Sequence, residues 1–527
     1  KLAIRSKRYL IKENCQINLI INTQTGETLQ MPLKDCSATG FRCTLPQAGV
    51  DDSVLNITSI VSSAKLQYAK GEIFLGRLAV RRIGDEESAR EIAFSTIDSK
   101  VPVSGPLSHF LDVDLSKAHN EEELSPQQFS LAHFVENEFT NVDLFNRTHK
   151  FSIFHKEWAQ SKKYAYRTIR TESKGPRINL MRIRKNGRTD YLVMGSNDYL
   201  GLAAHPEVIE AGQKAFAKYG FSSTGSPVTT GNTDLHEQLI AQLAHIHQKE
   251  DAVLFNSGYA ANVGIITALT TTNDLVIADQ LCHASIQDAM QMARSTPRFF
   301  RHNNVEHLEA LLKKERTNFN GALVATEGVF SMDGDVAKLD EIYQVARNYN
   351  CRTFVDQAHC FGVLGPNGFG VADKYHLLKE IDIIMGTFSK VCGGIGGFAT
   401  GSTETMNWLR FFGRAHMFSV SLPPSTVAAV SKTLEIFTRD TSLVEKLRAN
   451  IRHFVGCLTA IGFQVNPFHE SAVIPVLIGD ETKMGEMYQS LLDDGIWCIP
   501  IVYPAVGRKQ CRFRFTIMAN HSISDLD

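Results

Sequence analysis

The stretch Ile381–Gly397, "IDIIMGTFSKVCGGIGG", decides how this chain reads. Four of its first five residues are apolar, as in a strand covered on both faces. Thr387, Ser389 and Lys390 follow, and then four glycines in the five positions 393–397. A lysine set directly after a buried strand and walled by glycine is not an ordinary surface cation, because glycine lets a backbone or a ligand approach closely. A lysine withdrawn from water has a lowered pKa and becomes a nucleophilic amine suited to a Schiff base.

The same texture repeats outward from this stretch. Apolar runs alternate with helix-length amphipathic segments from about residue 190: "DAVLFNSG" (251–258), "NDLVIADQ" (273–280), "GALVATEG" (321–328) and "CRTFVDQAH" (351–359). Such alternation predicts a mainly parallel sheet with helices on both faces. Each run ends in polar residues or glycine, and open α/β sheets bind ligands at the carboxyl ends of their strands. Beyond about residue 415 the pattern turns to α+β ("SAVIPVLIGD", "CRFRFTIMANH").

Pyridoxal phosphate is the natural partner of a Schiff-base lysine, and it sets further demands. Its phosphate needs N–H groups at a helix start, and Ser257, Gly258 and Tyr259 lie at such a junction. Its ring nitrogen needs a carboxylate, and Asp356 ends the run "TFVD". His283 suits stacking on the ring, and His359 and Ser331 suit its phenolic oxygen. Each residue alone has a structural explanation as a helix cap, core histidine or turn residue. Their joint occurrence at successive strand ends points to one site.

These segments resemble a known family. "SNDYLGL" (196–202), "SGYAAN" (257–262), "DQLCHAS" (279–285), "EGVFSMDGD" (327–335), "VDQAHCFGVLG" (355–365), "GTFSKVCGGIGG" (386–397), "FSVSLPP" (418–424) and "FRFTIMANH" (513–521) are similar, in order, to the α-oxoamine synthases. This family includes 8-amino-7-oxononanoate synthase and serine palmitoyltransferase. The resemblance covers about residues 160–527. It implies an α/β, fold-type I transferase with a seven-stranded sheet and a smaller α+β C-terminal domain. It implies that Lys390 carries the cofactor and moves a proton at Cα, that Asp356 pairs with the ring nitrogen, that His283 stacks on the ring, and that Lys390 or His283 aids proton return. Ser257, Gly258, Tyr259, Thr387 and Ser389 would surround the phosphate. Asn197 and Arg514 would hold the amino-acid carboxylate. Ser419 or Ser421 would act across a homodimer with shared sites. The implied reaction joins an amino acid to an acyl thioester, on CoA or an acyl carrier protein, with loss of CO₂. Segment 224–239 and "FSVSLPP" look more like the serine palmitoyltransferase branch, which favours serine or alanine. Pro227 and Phe369 stand where arginine is common in the family. The competing readings are an aminotransferase or lyase on the same scaffold, and a signalling protein with an inactive large domain.

Residues 1–115 alternate on a short period broken by turn residues, which predicts a small antiparallel β-barrel. "DCSATG" (35–40) places Asp35, Ser37 and Gly40 in the DxSxxG pattern of PilZ domains, and Arg5 and Arg8 lie upstream, one residue closer than the usual pair. The resemblance implies binding of cyclic di-GMP. The expected layout is 1–115 barrel, 116–180 linker and helical arm, 181–415 cofactor domain and 416–527 small domain. The chain starts without Met and stops at Asp527 in structured-looking sequence, so both ends read as trimmed.

Composition is that of a globular protein: 527 residues, 43% hydrophobic, 21% charged, net charge −1. Such a balance does not point to nucleic acid or an anionic membrane. No apolar run is long enough to span a bilayer. The ten cysteines are scattered without a CxxC pair, so they read as reduced thiols of a cytoplasmic protein without a metal site.

Overall fold

The computed structural model describes residues 143–527 apart from 162–164, 183 and 185, together with Leu131, Phe134 and the backbone of seven strands between residues 9 and 96. The chain divides into two compact units, Lys1–Glu157 and Trp158–Asp527.

In the first unit the strands are β1 (Tyr9–Leu10), β2 (Asn18–Asn22), β3 (Thr28–Ser37), β4 (Gly40–Thr44), β5 (Ile60–Tyr68), β6 (Gly71–Glu86) and β7 (Ala89–Thr96). They pair antiparallel in the order β1-β3-β2-β5-β6-β7-β4, and β4 also pairs with β3. Asp35 and Ser37 end β3, and Gly40 opens β4 opposite Ser37. Arg5 and Arg8 lie outside the described residues. The helix Leu144–Gln160 matches the helical texture expected after residue 131.

The second unit opens with strands where the sequence suggested more helix. β8 (Arg170–Lys174) and β9 (Arg177–Leu180) form a hairpin, and β10 (Asp190–Val193) pairs antiparallel with β9. Only Ile178 and Leu180 of β9 are buried, and the arginines, threonine and glutamate around them hide the two-residue period.

The central sheet contains β11 (Asp251–Phe255), β12 (Asp274–Asp279), β13 (Thr296–Phe300), β14 (Gly321–Glu327), β15 (Arg352–Asp356), β16 (Ile383–Thr387) and β17 (Gly397–Gly401), in the order β11-β17-β16-β15-β14-β12-β13. Of these, β17 alone runs opposite to its neighbours. Both faces are covered, which is why the apolar runs are continuous. Leu275 and Ile277 of β12 pack with Leu308, Leu312 and Ile342, while Val276 and Ala278 pack on the other face with Ile265, Ile286 and Ala289. Each larger side chain withdrawn from water this way contributes about 1.5–3 kcal/mol.

Parallel register brings the strand ends to one edge. Glu327 lies opposite Asp356, and Asp356 opposite Met385. β17 starts at that edge, with Gly397 paired to both Thr387 and Phe255. A three-stranded antiparallel sheet completes the unit: β18 (Val473–Leu477), β20 (Ile499–Ile501) and, between them, β21 (Arg512–Thr516), while β19 (Ile496–Trp497) joins β10. Among the described residues, no helix is long and apolar enough to cross a membrane.

Candidate active site

The glycines after Lys390 have a steric cause. Gly393 has φ +58°, and a Cβ there would lie 2.6 Å from the Ala203 Cβ and 2.8 Å from its Cα. A Cβ on Gly397 would lie 2.7 Å from the Ser257 carbonyl oxygen. β17 therefore lies backbone-to-backbone against the turn that starts the helix Gly258–Leu269. Ser257 caps this helix by accepting from the Ala260 N–H at 3.0 Å. Gly258 packs against Thr387, whose hydroxyl donates to the Gly396 carbonyl at 2.8 Å and lies 2.9 Å from the Ser389 hydroxyl. Ser257, Gly258, Thr387 and Ser389 thus meet at the positive end of a helix dipole, an environment made for a phosphate.

Lys390 sits beside this turn, half-buried. Removal from water holds its ammonium below the usual lysine range, while Asp356 and then Glu327 pull it back up through space. Asp356 is buried at the end of β15, and both carboxylate oxygens are held: Asn262 Nδ2 donates to Oδ2 at 2.8 Å and the Ala358 N–H donates to Oδ1 at 2.9 Å. Asn262 Nδ2 also donates to the Ser285 hydroxyl at 2.8 Å. His283 caps the next helix, Ala284–Met292, with Nδ1 2.7 Å from the Ser285 hydroxyl. Desolvation and the nearby Lys390 keep the imidazole below its usual pKa, against the pull of Asp356. Its backbone N–H donates to Glu327, a fully enclosed carboxyl that burial pushes well above the carboxylate range.

The third group lies around His359. Its Nδ1 is 2.6 Å from the Tyr199 hydroxyl, and both side chains are buried. Burial, then the charges of Lys390 and Arg514, drive His359 well below its usual pKa, so it is a neutral ring. Arg514, in the middle of β21, is buried as well. One Nη donates to the Ser331 carbonyl at 3.3 Å, and its Nε is buried without a partner among the described residues. Its strand neighbour Arg512 is instead paired with Asp333 at 2.6 Å. Asn197 accepts weakly from the Tyr199 hydroxyl at 3.5 Å.

These residues fit pyridoxal phosphate. A desolvated amine, a buried carboxylate held by two donors, a helix N-terminus lined by hydroxyls and a buried guanidinium with an orphan N–H converge on one sheet edge. Comparison with known proteins agrees. Residues 189–527 match the model of "Aminotransferase class I and II". The chain is 40% identical over 334 residues to 8-amino-7-oxononanoate synthase of Treponema denticola, covering 63% of this chain and 84% of that protein. It is 37% identical over 335 residues to serine palmitoyltransferase of Bacteriovorax stolpii, covering 64% and 80%. A solved structure of Sphingomonas wittichii serine palmitoyltransferase superposes with TM-score 0.69 at 30% identity, covering 73% of this chain and 96% of that one. The chain belongs to the aminotransferase class I and II family. Within this family it is an acyltransferase of the α-oxoamine synthase type, and its cofactor is pyridoxal phosphate.

Further residues of this member of the aminotransferase class I and II family have defined surroundings. Tyr259 is exposed, and its hydroxyl donates to Asp288. Ser421 is buried beside Gly231 of its own chain, its hydroxyl without a partner among the described residues, and Ser419 is half-buried. Ser331 meets Arg514 through its backbone carbonyl. Phe369 packs edge-on against Phe437, 6.0 Å between centroids, so it takes a core place. Asn262, Tyr199 and Glu327 were not singled out from sequence, although all three lie inside the motifs quoted above. A buried amide, phenol or carboxyl has no periodic signature that would mark it.

Proposed function

We propose that the chain joins an amino acid, serine or alanine, to an acyl thioester on CoA or an acyl carrier protein. The bond from Cα to the thioester carbonyl carbon forms, and the thiol leaves. The carboxylate departs as CO₂ and a proton takes its place, leaving an α-amino ketone. Bound pyridoxal phosphate supplies the electron sink for charge developing at Cα.

The residues divide the work. Lys390 holds the cofactor covalently and moves the Cα proton, a role that suits an amine with a lowered pKa. Asp356, fixed by Asn262 and the Ala358 N–H, keeps positive charge on the ring nitrogen. Arg514 grips the substrate carboxylate, which a planar guanidinium does in bidentate fashion. The carrying observation is the meeting of a desolvated Lys390 with a buried Arg514 that has no carboxylate partner among the described residues. The similarity to serine palmitoyltransferases supports serine and a long acyl chain.

The test is a near-visible absorbance titration with a panel of amino acids, followed by acyl thioester and carboxyl-labelled substrate. Thioester-dependent release of labelled CO₂ supports the proposal. Keto-acid formation without thioester consumption overturns it.

A homodimer with shared sites fits the exposed apolar side chains of Trp408, Phe411, Phe412 and Phe418. For the front unit, cyclic di-GMP is the proposed ligand, through Arg5, Arg8, Asp35, Ser37 and Gly40. The DxSxxG pattern, with Asp35 and Ser37 in β3 and Gly40 opening β4, supports it. Calorimetric titration without heat at high ligand concentration would retire this part.

A further inference from the structure

Behind the site lies a charged cluster that the reaction above does not use. Asp279, at the end of β12, is fully buried. Its Oδ1 accepts from the Leu281 N–H at 2.9 Å, and its Oδ2 from the Asn303 N–H at 2.8 Å. His302 Nδ1 lies 3.1 and 3.2 Å from the two oxygens. The other ring nitrogen, Nε2, lies 2.8 Å from Asp335 Oδ2, which also accepts from Asn303 Nδ2 at 2.7 Å. A ring facing carboxylates through both nitrogens donates from both, and so carries a positive charge. The two carboxylates push His302 up to about 10, against desolvation. The ring also stands edge-on to Phe330, 4.4 Å between centroids.

Each carboxylate leads to a different part of the active site. Asp279 anchors the turn 279–283, which delivers His283. Asp335 and Phe330 bracket the turn 330–335: the Phe330 N–H donates to the Asp335 carbonyl at 3.1 Å, and the Gly334 N–H to the Phe330 carbonyl at 2.8 Å. That turn presents the Ser331 carbonyl to Arg514, and the Met332 carbonyl and Asp333 carboxylate to Arg512.

We propose that His302 is a positioning residue: its bridge from Asp279 to Asp335 locks the cofactor-stacking turn to the turn that aims Arg514, setting the amino-acid carboxylate relative to the cofactor ring. The proposal rests on the function read above. It predicts that loosening either arm weakens amino-acid binding without emptying the cofactor site, since Lys390, Asp356 and the Ser257 turn are held by other contacts.

The experiment uses the full-chain holoenzyme and three variants, Asp335→Asn, Asp335→Glu and His302→Gln. Asp335 is the milder change because its side chain is 37% exposed. Cofactor content, visible circular dichroism and the dissociation constant for L-serine are measured. The expected result is full cofactor content, an altered visible dichroism and serine binding weakened about tenfold or more, with Asp335→Glu restoring most of it. If His302→Gln does not fold, Asp335→Asn decides alone. Variants that only melt earlier, with serine affinity and dichroism as in the parent, overturn the proposal. A parent enzyme that responds to no amino acid would instead sink the function on which it rests.

Discussion

Lys390 concentrates the chemistry at the scale of a single residue. Its amine is tuned by opposing forces, burial lowering its pKa and the Asp356 charge raising it. Half-maximal reductive methylation of Lys390 in cofactor-free protein is therefore expected below pH 10.5, and at lower pH still in Asp356→Asn, which removes the largest upward pull. Peptide mass spectrometry across pH checks this, and an unshifted midpoint would refute it. Lys390→Ala should abolish the near-visible absorbance of the lysine-linked cofactor and turnover together. Arg514→Lys keeps the charge but loses the fork, and charge-assisted hydrogen bonds contribute about 1.5–3 kcal/mol each. Amino-acid affinity should fall about tenfold or more, with cofactor content unchanged, as read by spectral titration. Arg514 was marked only by the resemblance of "FRFTIMANH" to the α-oxoamine synthases, whereas Lys390 and Asp356 were legible in the sequence because each ends an apolar run where a charge is out of place. Asn262 and Tyr199 were not, because polar residues inside a helix or loop look alike until their partners are known.

Turns and strand starts set the tolerance of the site at the scale of elements. Gly397→Ala would drive a Cβ into the Ser257 carbonyl and to 2.9 Å from the Gly258 Cα. Neither contact is the end of a flexible side chain, so the strand or the helix start must shift. Destabilisation of about 1–3 kcal/mol is expected, with weaker cofactor binding, measured by urea unfolding and by cofactor titration. The His302 bridge gives a stability signature with a defined sign. Its pKa is raised from 6.5 to about 10 on folding. The folded state therefore binds the proton more tightly, and the contribution is full below pH 6.5 and lost as pH rises through about 10. Thermal melting of the parent should fall between those limits, and His302→Gln should show a flatter profile. The hairpin β8–β9 was missed at this scale, since a strand with two buried residues among charged ones offers little periodicity.

The whole molecule divides at Glu157/Trp158, and the family match begins at residue 189, inside the second unit. A chain beginning at Trp158 is expected to melt cooperatively, bind pyridoxal phosphate and retain the amino-acid response of the full protein. Aggregation of that chain, or loss of the response, would show that the first unit completes the enzyme. The architecture of the second unit was legible because a sheet covered on both faces needs continuous apolar strands, and those are visible in a linear pattern.

Local patterning alone determined the parallel sheet and the gathering of Lys390, Asp356 and their polar neighbours at strand ends, because burial and backbone approach impose residue types directly on the chain. Folding alone decided which polar side chains share a carboxylate, that Arg514 has no carboxylate partner among the described residues while Arg512 does, and that His302 ties two turns together. Those facts depend on distances between residues tens of positions apart, which sheet register and helix packing set and no local stretch encodes.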